Sequence, residues 1–230
     1  MRPETTTPQT DTLLRRYGLP PDEIEQLSLM RLEARAGHTL PSDPAGREVV
    51  KRVLYAAGDP DLAPLVHIHP DLVRSATAAL RRGAPVVVDV RMVAAGLRHA
   101  ALRELGCEFI VAIDEPGTAA LVVEHGITRS AAGVRALAAG LGGALVAIGN
   151  APTALLELLD LVDAGNARPA AIVGMPVGLV AAAESKDELQ RRPIPYATVL
   201  GSRGGSPLAA AAVNALLDLA LRDGDMPDGL

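Results

Sequence analysis

The chain has 230 residues, 49% of them apolar, and a formal net charge of −5. That length allows one large or two small domains with a substantial core, and an acidic balance without a basic stripe argues against a general nucleic-acid binder. The single cysteine, Cys107, excludes an internal disulfide and suits a reducing cytosol, and no apolar run of about 18 residues is present to span a bilayer. With one Phe, three Tyr and no Trp, the core has to be built from Ala, Val and Leu.

The Thr- and Pro-rich start, MRPETTTPQTDT, lacks the apolar segment of a signal peptide, and residues 1–12 are expected to form a disordered tail. A helix is expected over Pro21–Ala36, with Asp22 and Glu23 at its positive end and Gly37 stopping it. Ser28 lies within it. The next helix runs from Pro44 to Ala57, capped by Asp43 and ended by Gly58. Val49, Val50, Val53, Leu54 and Ala57 form one stripe at the helical period. Tyr55 projects roughly opposite, as a step of about 100° per residue requires, on the side of Glu48, Lys51 and Arg52. It is therefore read either as an exposed tyrosine or as one facing a cleft or a partner chain. His67 and His69 precede Pro70, which opens a third helix ending near Gly83. No third ligand has a convincing spacing from this histidine pair, so no metal site is expected.

From Ala84 onward, strand and helix alternate. Strands are predicted at Pro85–Val90, Glu108–Ile113, Ala144–Ile148, Ala170–Val173 and Tyr196–Leu200. Helices are predicted at Met92–Leu105, Gly117–Glu124, Arg129–Ala139, Pro152–Asp163, Leu179–Gln190 and Ser206–Leu221. Continuous apolar strands separated by helices indicate an α/β fold whose parallel sheet is covered on both faces. No domain boundary is evident, so residues 13–222 read as one domain, followed by a frayed tail over 223–230.

Three strand ends open into glycine-rich turns: ALVAIGNAPTAL (144–155), VGMPVGLVAAAESK (173–186) and LGSRGGS (200–206). This arrangement points to one ligand crevice at the carboxyl edge of the sheet. The N–H groups at the start of the Pro152 helix, with the side chains of Asn150 and Thr153, read as a place for an anion or polar ligand. Asp89 ends a strand on the same side, Arg129 and Ser130 open a helix there, and Ser185 and Lys186 follow an apolar run. Arg129, Lys186 and Arg203 suit carboxylates. The turns fit neither GxGxxG nor GxxxxGK[ST], and HExxH and GxSxG are absent, so dinucleotide, ATP, zinc-protease and serine-hydrolase chemistries lack support. Cys107 reads as a small core residue.

The stretches TRSAAGV (128–134), AIGNAPTALLELL (147–159), GMPVGLVAAAESKDEL (174–189) and GSRGGSPLAAAAVNALL (201–217) resemble the precorrin-8X methylmutase family, over about Leu27 to Leu217. The resemblance implies a three-layer α/β/α sandwich on a mainly parallel five-stranded sheet. It implies a cytoplasmic homodimer with its site near the subunit contact, acting in cobalamin biosynthesis without a cofactor. The implied reaction moves a methyl group from C-11 to C-12 of the corrin precursor, with or without cobalt, to give hydrogenobyrinate or its cobalt form. The family's histidine, which protonates a ring nitrogen, falls in the run matched here by VVKRVLYAAGD (49–59), and its position is held by Tyr55. A free phenol is a weaker acid than imidazole by about 3.5 pKa units, but at neutral pH it always carries its proton. It can donate a hydrogen bond to the ring nitrogen as charge develops. The family usually shows a basic residue followed by Ser-Phe where this chain has Leu27-Ser28-Leu29. The resemblance thus implies Tyr55 as the catalytic group. Together with position at the strand ends, it points to substrate contacts from Ser28, Asp89, Met92, Arg129, Ser130, Asn150, Thr153, Gly174, Ser185, Lys186, Gly204 and Gly205. The glycines would permit close backbone approach, and Met92 would supply apolar floor to a tetrapyrrole fringed with carboxylates. Two other readings remain at this point: a corrinoid-binding relative that carries or sequesters without catalysis, and an unrelated α/β enzyme acting on another anionic metabolite.

Overall fold

The structure, a computed structural model, describes residues 12–18 and 20–223. The tails expected over 1–12 and 223–230 lie outside the described residues except at Thr12 and Asp223. In chain order the elements are α1 (Leu13–Tyr17), α2 (Pro21–Ala36), α3 (Pro44–Ala57), β1 (Val66–Ile68), α4 (Leu72–Arg81), β2 (Val86–Val88), α5 (Arg91–Ala95), α6 (His99–Glu104), β3 (Phe109–Val111), α7 (Thr118–His125) and α8 (Arg129–Ala136). Then follow β4 (Leu145–Ile148), α9 (Pro152–Asp163), β5 (Ala171–Gly174), α10 (Ala182–Gln190), β6 (Tyr196–Val199) and α11 (Ser206–Asp223).

The sheet has six strands in the order β1-β6-β5-β4-β2-β3. The five predicted strands are all present and mutually parallel, with Val86 opposite Leu145 and Phe109, and Leu145 opposite Ala171. The expectation of five strands is corrected by β1, which pairs antiparallel with β6 and sets His67 opposite Thr198. Its three residues show no alternation long enough to read, and a non-local pairing alone makes them a strand.

Side-chain alternation along each strand divides the core between two faces. Val86, Val88, Leu145, Ala147, Ala171, Val173, Ala197 and Val199 point into one cluster with α3, α4 and α11. Val87, Val146, Ile148 and Ile172 point into the other, with α8, α9 and α10. This is the three-layer sandwich. Helix α3 forms as its sequence dictates. Asp43 accepts a hydrogen bond from the Gly46 N–H at 2.7 Å, and Gly58 ends the helix in the left-handed region at φ 62°. Val49, Val50, Val53 and Leu54 are buried against α11, each contributing about 1.5–3 kcal/mol.

Two helix expectations are corrected. Met92–Leu105 is two short helices, α5 and α6, broken around Gly96. A side chain at Gly96 would strike Ala210 of α11. Asn214 of α11 bonds both broken ends, donating to the Gly96 carbonyl and accepting from the Arg98 N–H, each at 2.8 Å. The predicted Leu179–Gln190 helix begins at Ala182, because Ala181 sits at φ 60° and the segment before it is irregular.

Since the five strands run the same way, the turns following β2, β3, β4, β5 and β6 collect at one edge. Antiparallel β1 starts at that edge, which brings the C-terminal turn of α3 and the 3₁₀ segment Pro60–Leu65 to the same rim.

Candidate functional site

The rim is open and has two parts. On one side Met92, Arg129 and Asn150 line a hollow of about 310 Å³ together with Arg91 and Asp114. A neighbouring hollow of about 470 Å³ shares Asp114 and Arg129 and extends to Gly117 and Val122. On the other side the α3 turn is flanked by two hollows. Tyr55 and Ser28 line one of about 230 Å³ with Arg31, Leu32 and Pro60. Ala56, Ala57 and Asp59 line one of about 380 Å³ with Val177, Arg203 and Gly204.

Tyr55 lies off the buried stripe, as the helical period requires, and is 40% exposed. Among the described residues its hydroxyl has no hydrogen-bond partner, so its donor is available to a ligand. Ser28, one helix away, spends its own hydroxyl proton on the Ile24 carbonyl at 2.7 Å, leaving its oxygen free to accept.

Other expected contacts lie elsewhere. Asp89 is fully buried, and its carboxylate accepts from the N–H groups of Gly149 (3.1 Å), Asn150 (2.8 Å) and Ala151 (3.0 Å). The turn that leads into α9 is therefore held by the protein's own carboxylate. Burial pushes the Asp89 carboxyl above the ordinary carboxylate range, against the pull of backbone N–H groups, including that of Val90. Gly174 is buried between Leu155 and Leu189, so its missing side chain serves helix packing. Ser185 is buried and donates to the Ala182 carbonyl at 3.0 Å. Lys186 is 0% exposed, with its Nζ on the carbonyls of Pro176 (3.0 Å) and Arg203 (2.7 Å). Thr153 shares a 2.7 Å hydrogen bond with Thr128, whose oxygen caps α8 through the Ala131 N–H. Ser130, half-buried, opens the same helix. Gly204 faces a hollow, and Gly205 is buried with its N–H on the Met175 carbonyl.

The rim also carries charges, of which Arg91, Asp114 and Asp59 are ones the sequence did not single out. Arg91 pairs with Asp114 at 2.7 Å, and Arg203 pairs with Asp59 at 3.2 Å. Arg129 donates to the Ile113 carbonyl at 3.3 Å. Exposed pairs of this kind are worth about 0–1 kcal/mol, so a ligand carboxylate can displace the internal partner at small cost. Arg91 and Asp114 each stand just past a strand's carboxyl end, a position that would have marked them. Among the described residues no group of three or more His, Cys, Asp or Glu is placed to hold a metal.

Burial pulls the Lys186 ammonium down to about 8 from the ordinary lysine value of 10.5, with Asp187 opposing. The folded state thus disfavours the charged form. That penalty is fully present below about pH 8 and is relieved as pH rises towards about 10.5, because the folded chain sheds its proton first. The melting temperature of wild type relative to Lys186→Met is therefore expected to shift in favour of wild type between about pH 7 and about pH 10. A difference that stays flat over that interval rejects the burial of a charged amine.

Residues 23–219 match the family model for precorrin-8X methylmutase. A precorrin-8X methylmutase from a Sinorhizobium species is 46% identical over 171 residues, covering 74% of this chain and 81% of that protein. A precorrin-8X methylmutase from Pseudomonas aeruginosa is 44% identical, covering 79% and 88%. A cobalt-precorrin-8 methylmutase from Priestia megaterium is 38% identical, covering 75% and 76%. Among solved structures, a precorrin-8X methylmutase from Thermus thermophilus superposes with a TM-score of 0.79 at 35% identity, covering 87% of this chain and 98% of that one.

Proposed function

We propose a methyl-transfer isomerase of corrin-ring biosynthesis, on the premise that the chain belongs to the precorrin-8X methylmutase family. It moves a methyl group from C-11 to C-12 of precorrin-8X or its cobalt form, and Tyr55 is the group that eases the shift. The observation that carries the role of Tyr55 is its unpartnered hydroxyl at the rim, beside Ser28 and the hollow that ends at Arg203.

A tetrapyrrole is wider than any one of these hollows, so it lies across several of them. Its carboxylates meet Arg91, Arg129 and Arg203, and the exposed Met92 and Val177 give it apolar contact. As the methyl group migrates, electron density moves through the conjugated ring towards a ring nitrogen. A donor held at that nitrogen stabilises the migrating state more than the ground state, which is what accelerates the step. Asn150 holds the periphery on the far side, where Asp89 fixes its backbone. Asp89, Gly174, Ser185 and Lys186 support the site from behind.

The chain works as a homodimer in this reading. Support comes from the loop after β5, where Leu179 and Val180 are 96% and 82% exposed at the rim, more apolar surface than a lone subunit gains by showing to water. The relatives are methylmutases by name, and no observation favours a carrier that has lost its chemistry.

The test is direct. Purified protein is given precorrin-8X, then its cobalt form, and hydrogenobyrinate or its cobalt form is followed by absorption, with the molar mass measured by light scattering. Turnover of either substrate is expected, at the mass of a dimer. Tight binding of hydrogenobyrinate without turnover at high enzyme would return the carrier reading.

A further inference from the structure

Two irregular segments leave adjacent parallel strands at the rim, 175–181 after β5 and 200–205 after β6. They are stitched together. The Gly205 N–H donates to the Met175 carbonyl at 2.8 Å, and the Gly178 N–H donates to the Ser202 carbonyl at 3.1 Å. Gly204 sits at φ 152°, and a side chain there would fall on the carbonyl oxygens of Met175 and Pro176, so only glycine lets the segments touch.

Lys186 enters this seam from the first turns of α10. Its side chain has no exposure, and its Nζ binds one carbonyl from each segment, Pro176 at 3.0 Å and Arg203 at 2.7 Å. Among the described residues it has no ion-pair partner. Burying an ammonium without a counter-ion is unfavourable, and a methionine in the same volume would avoid the cost. What the ammonium supplies is a fixed distance between the two segments. They carry Val177, Arg203 and Gly204, which form one wall of the hollow whose other wall is Ala56, Ala57 and Asp59. Arg203 also reaches across that hollow to Asp59, four residues beyond Tyr55.

We propose that Lys186 is a positioning residue, a buried latch that ties the segment after β5 to the segment after β6 and so sets the Val177–Arg203 wall against the Tyr55 end of α3. The assignment of that wall to substrate rests on the function proposed above. The latch itself does not. Lys186 acts through the two segments and does not touch the ring, which separates this role from a direct contact with a substrate carboxylate.

The experiment uses the full chain as wild type, Lys186→Met and Gly204→Ala. The alanine pushes the same seam apart from the other side and leaves the lysine in place. Hydrogen exchange is read at the Gly178 and Gly205 amides, with the Ile172 and Val173 amides of β5 as internal reference. Steady-state turnover of precorrin-8X is read as KM and kcat. In both variants exchange at Gly178 and Gly205 is expected to quicken about tenfold or more while the β5 amides hold, and KM to rise about tenfold with kcat within about threefold. Unchanged exchange in Lys186→Met overturns the latch. A raised KM with unchanged exchange replaces it with a direct contact. If Lys186→Met does not fold, Gly204→Ala decides, and unchanged exchange and KM in that variant overturn the proposal. If wild type turns over no corrinoid, the functional reading fails, and exchange, which needs no substrate, still judges the latch.

Discussion

Replacing Tyr55 with phenylalanine is expected to lower kcat for the methyl shift about a hundredfold to a thousandfold with little change in KM, the range for loss of one well-placed donor or general acid. The change deletes a hydroxyl that no described neighbour uses, and the ring keeps its place on the outer side of α3. Stability should therefore stay within about 0.5 kcal/mol of wild type. That combination, near-normal folding and binding with slow turnover, is the sign of a group acting on the migrating state alone. The histidine variant separates acid strength from mere presence of a donor. Imidazole is the stronger acid by about 3.5 pKa units, or about 5 kcal/mol, but it carries the needed proton only below about pH 6.5. Tyr55→His is expected to match or exceed wild type at about pH 5.5 and to fall away as pH rises through about 6.5. Absorption-monitored turnover of the three proteins across those pH values decides it. Wild-type kcat in Tyr55→Phe would remove the phenol from the mechanism.

The legible parts of this fold were those set by local rules. Asp43, Gly58 and the Val49–Leu54 stripe fixed α3 and with it the outward face of Tyr55, because capping, left-handed glycine and the 3.6-residue period act within one helix. The five apolar runs were legible as strands because a short continuous apolar run between turn residues marks a buried strand locally, although each pairs with a distant one. What escaped was decided by distant partners. Val66–Ile68 is a strand only because β6 lies beside it, and the break between α5 and α6 is held by Asn214, more than a hundred residues away. The site divided along the same line. The structure brings Met92, Arg129 and Asn150, all expected near the sheet's carboxyl edge, to one hollow. Position at that edge did not say which polar side chains turn outward. Asp89, Ser185 and Lys186 occupy rim sequence positions but point inward, where backbone groups bond each of them. A polar residue next to a ligand loop can hold the ligand or hold the loop, and spacing alone does not separate the two.

Asp89 is the strongest instance of holding the loop, and its removal is expected to be the most destabilising single change at the rim. Its carboxylate satisfies three backbone donors, the N–H groups of Gly149, Asn150 and Ala151, at the point where β4 turns into α9. Gly149 is itself wedged against Val93, Ser206 and Ala209, so the turn has little room to rotate these donors towards water. Each donor left without a partner in such a place costs about 1–3 kcal/mol. Relief from burying the carboxylate offsets part of the total, and Asp89→Ala should lose about 3 kcal/mol in urea unfolding, a large share of the 5–15 kcal/mol typical of a domain. Asp89→Asn keeps one acceptor oxygen. Turned towards Asn150 and Ala151, that oxygen serves two donors and sets the amide against the third, so about half the loss is expected. The order wild type, Asn, Ala tests the donor count, because a simple cavity or charge effect would not place the isosteric amide midway. The same variants should raise KM, since Asn150 is carried by this turn. An alanine variant within about 0.5 kcal/mol of wild type would mean that the three N–H groups find other partners, and that the β4–α9 turn is held by packing on α11 rather than by the buried carboxylate.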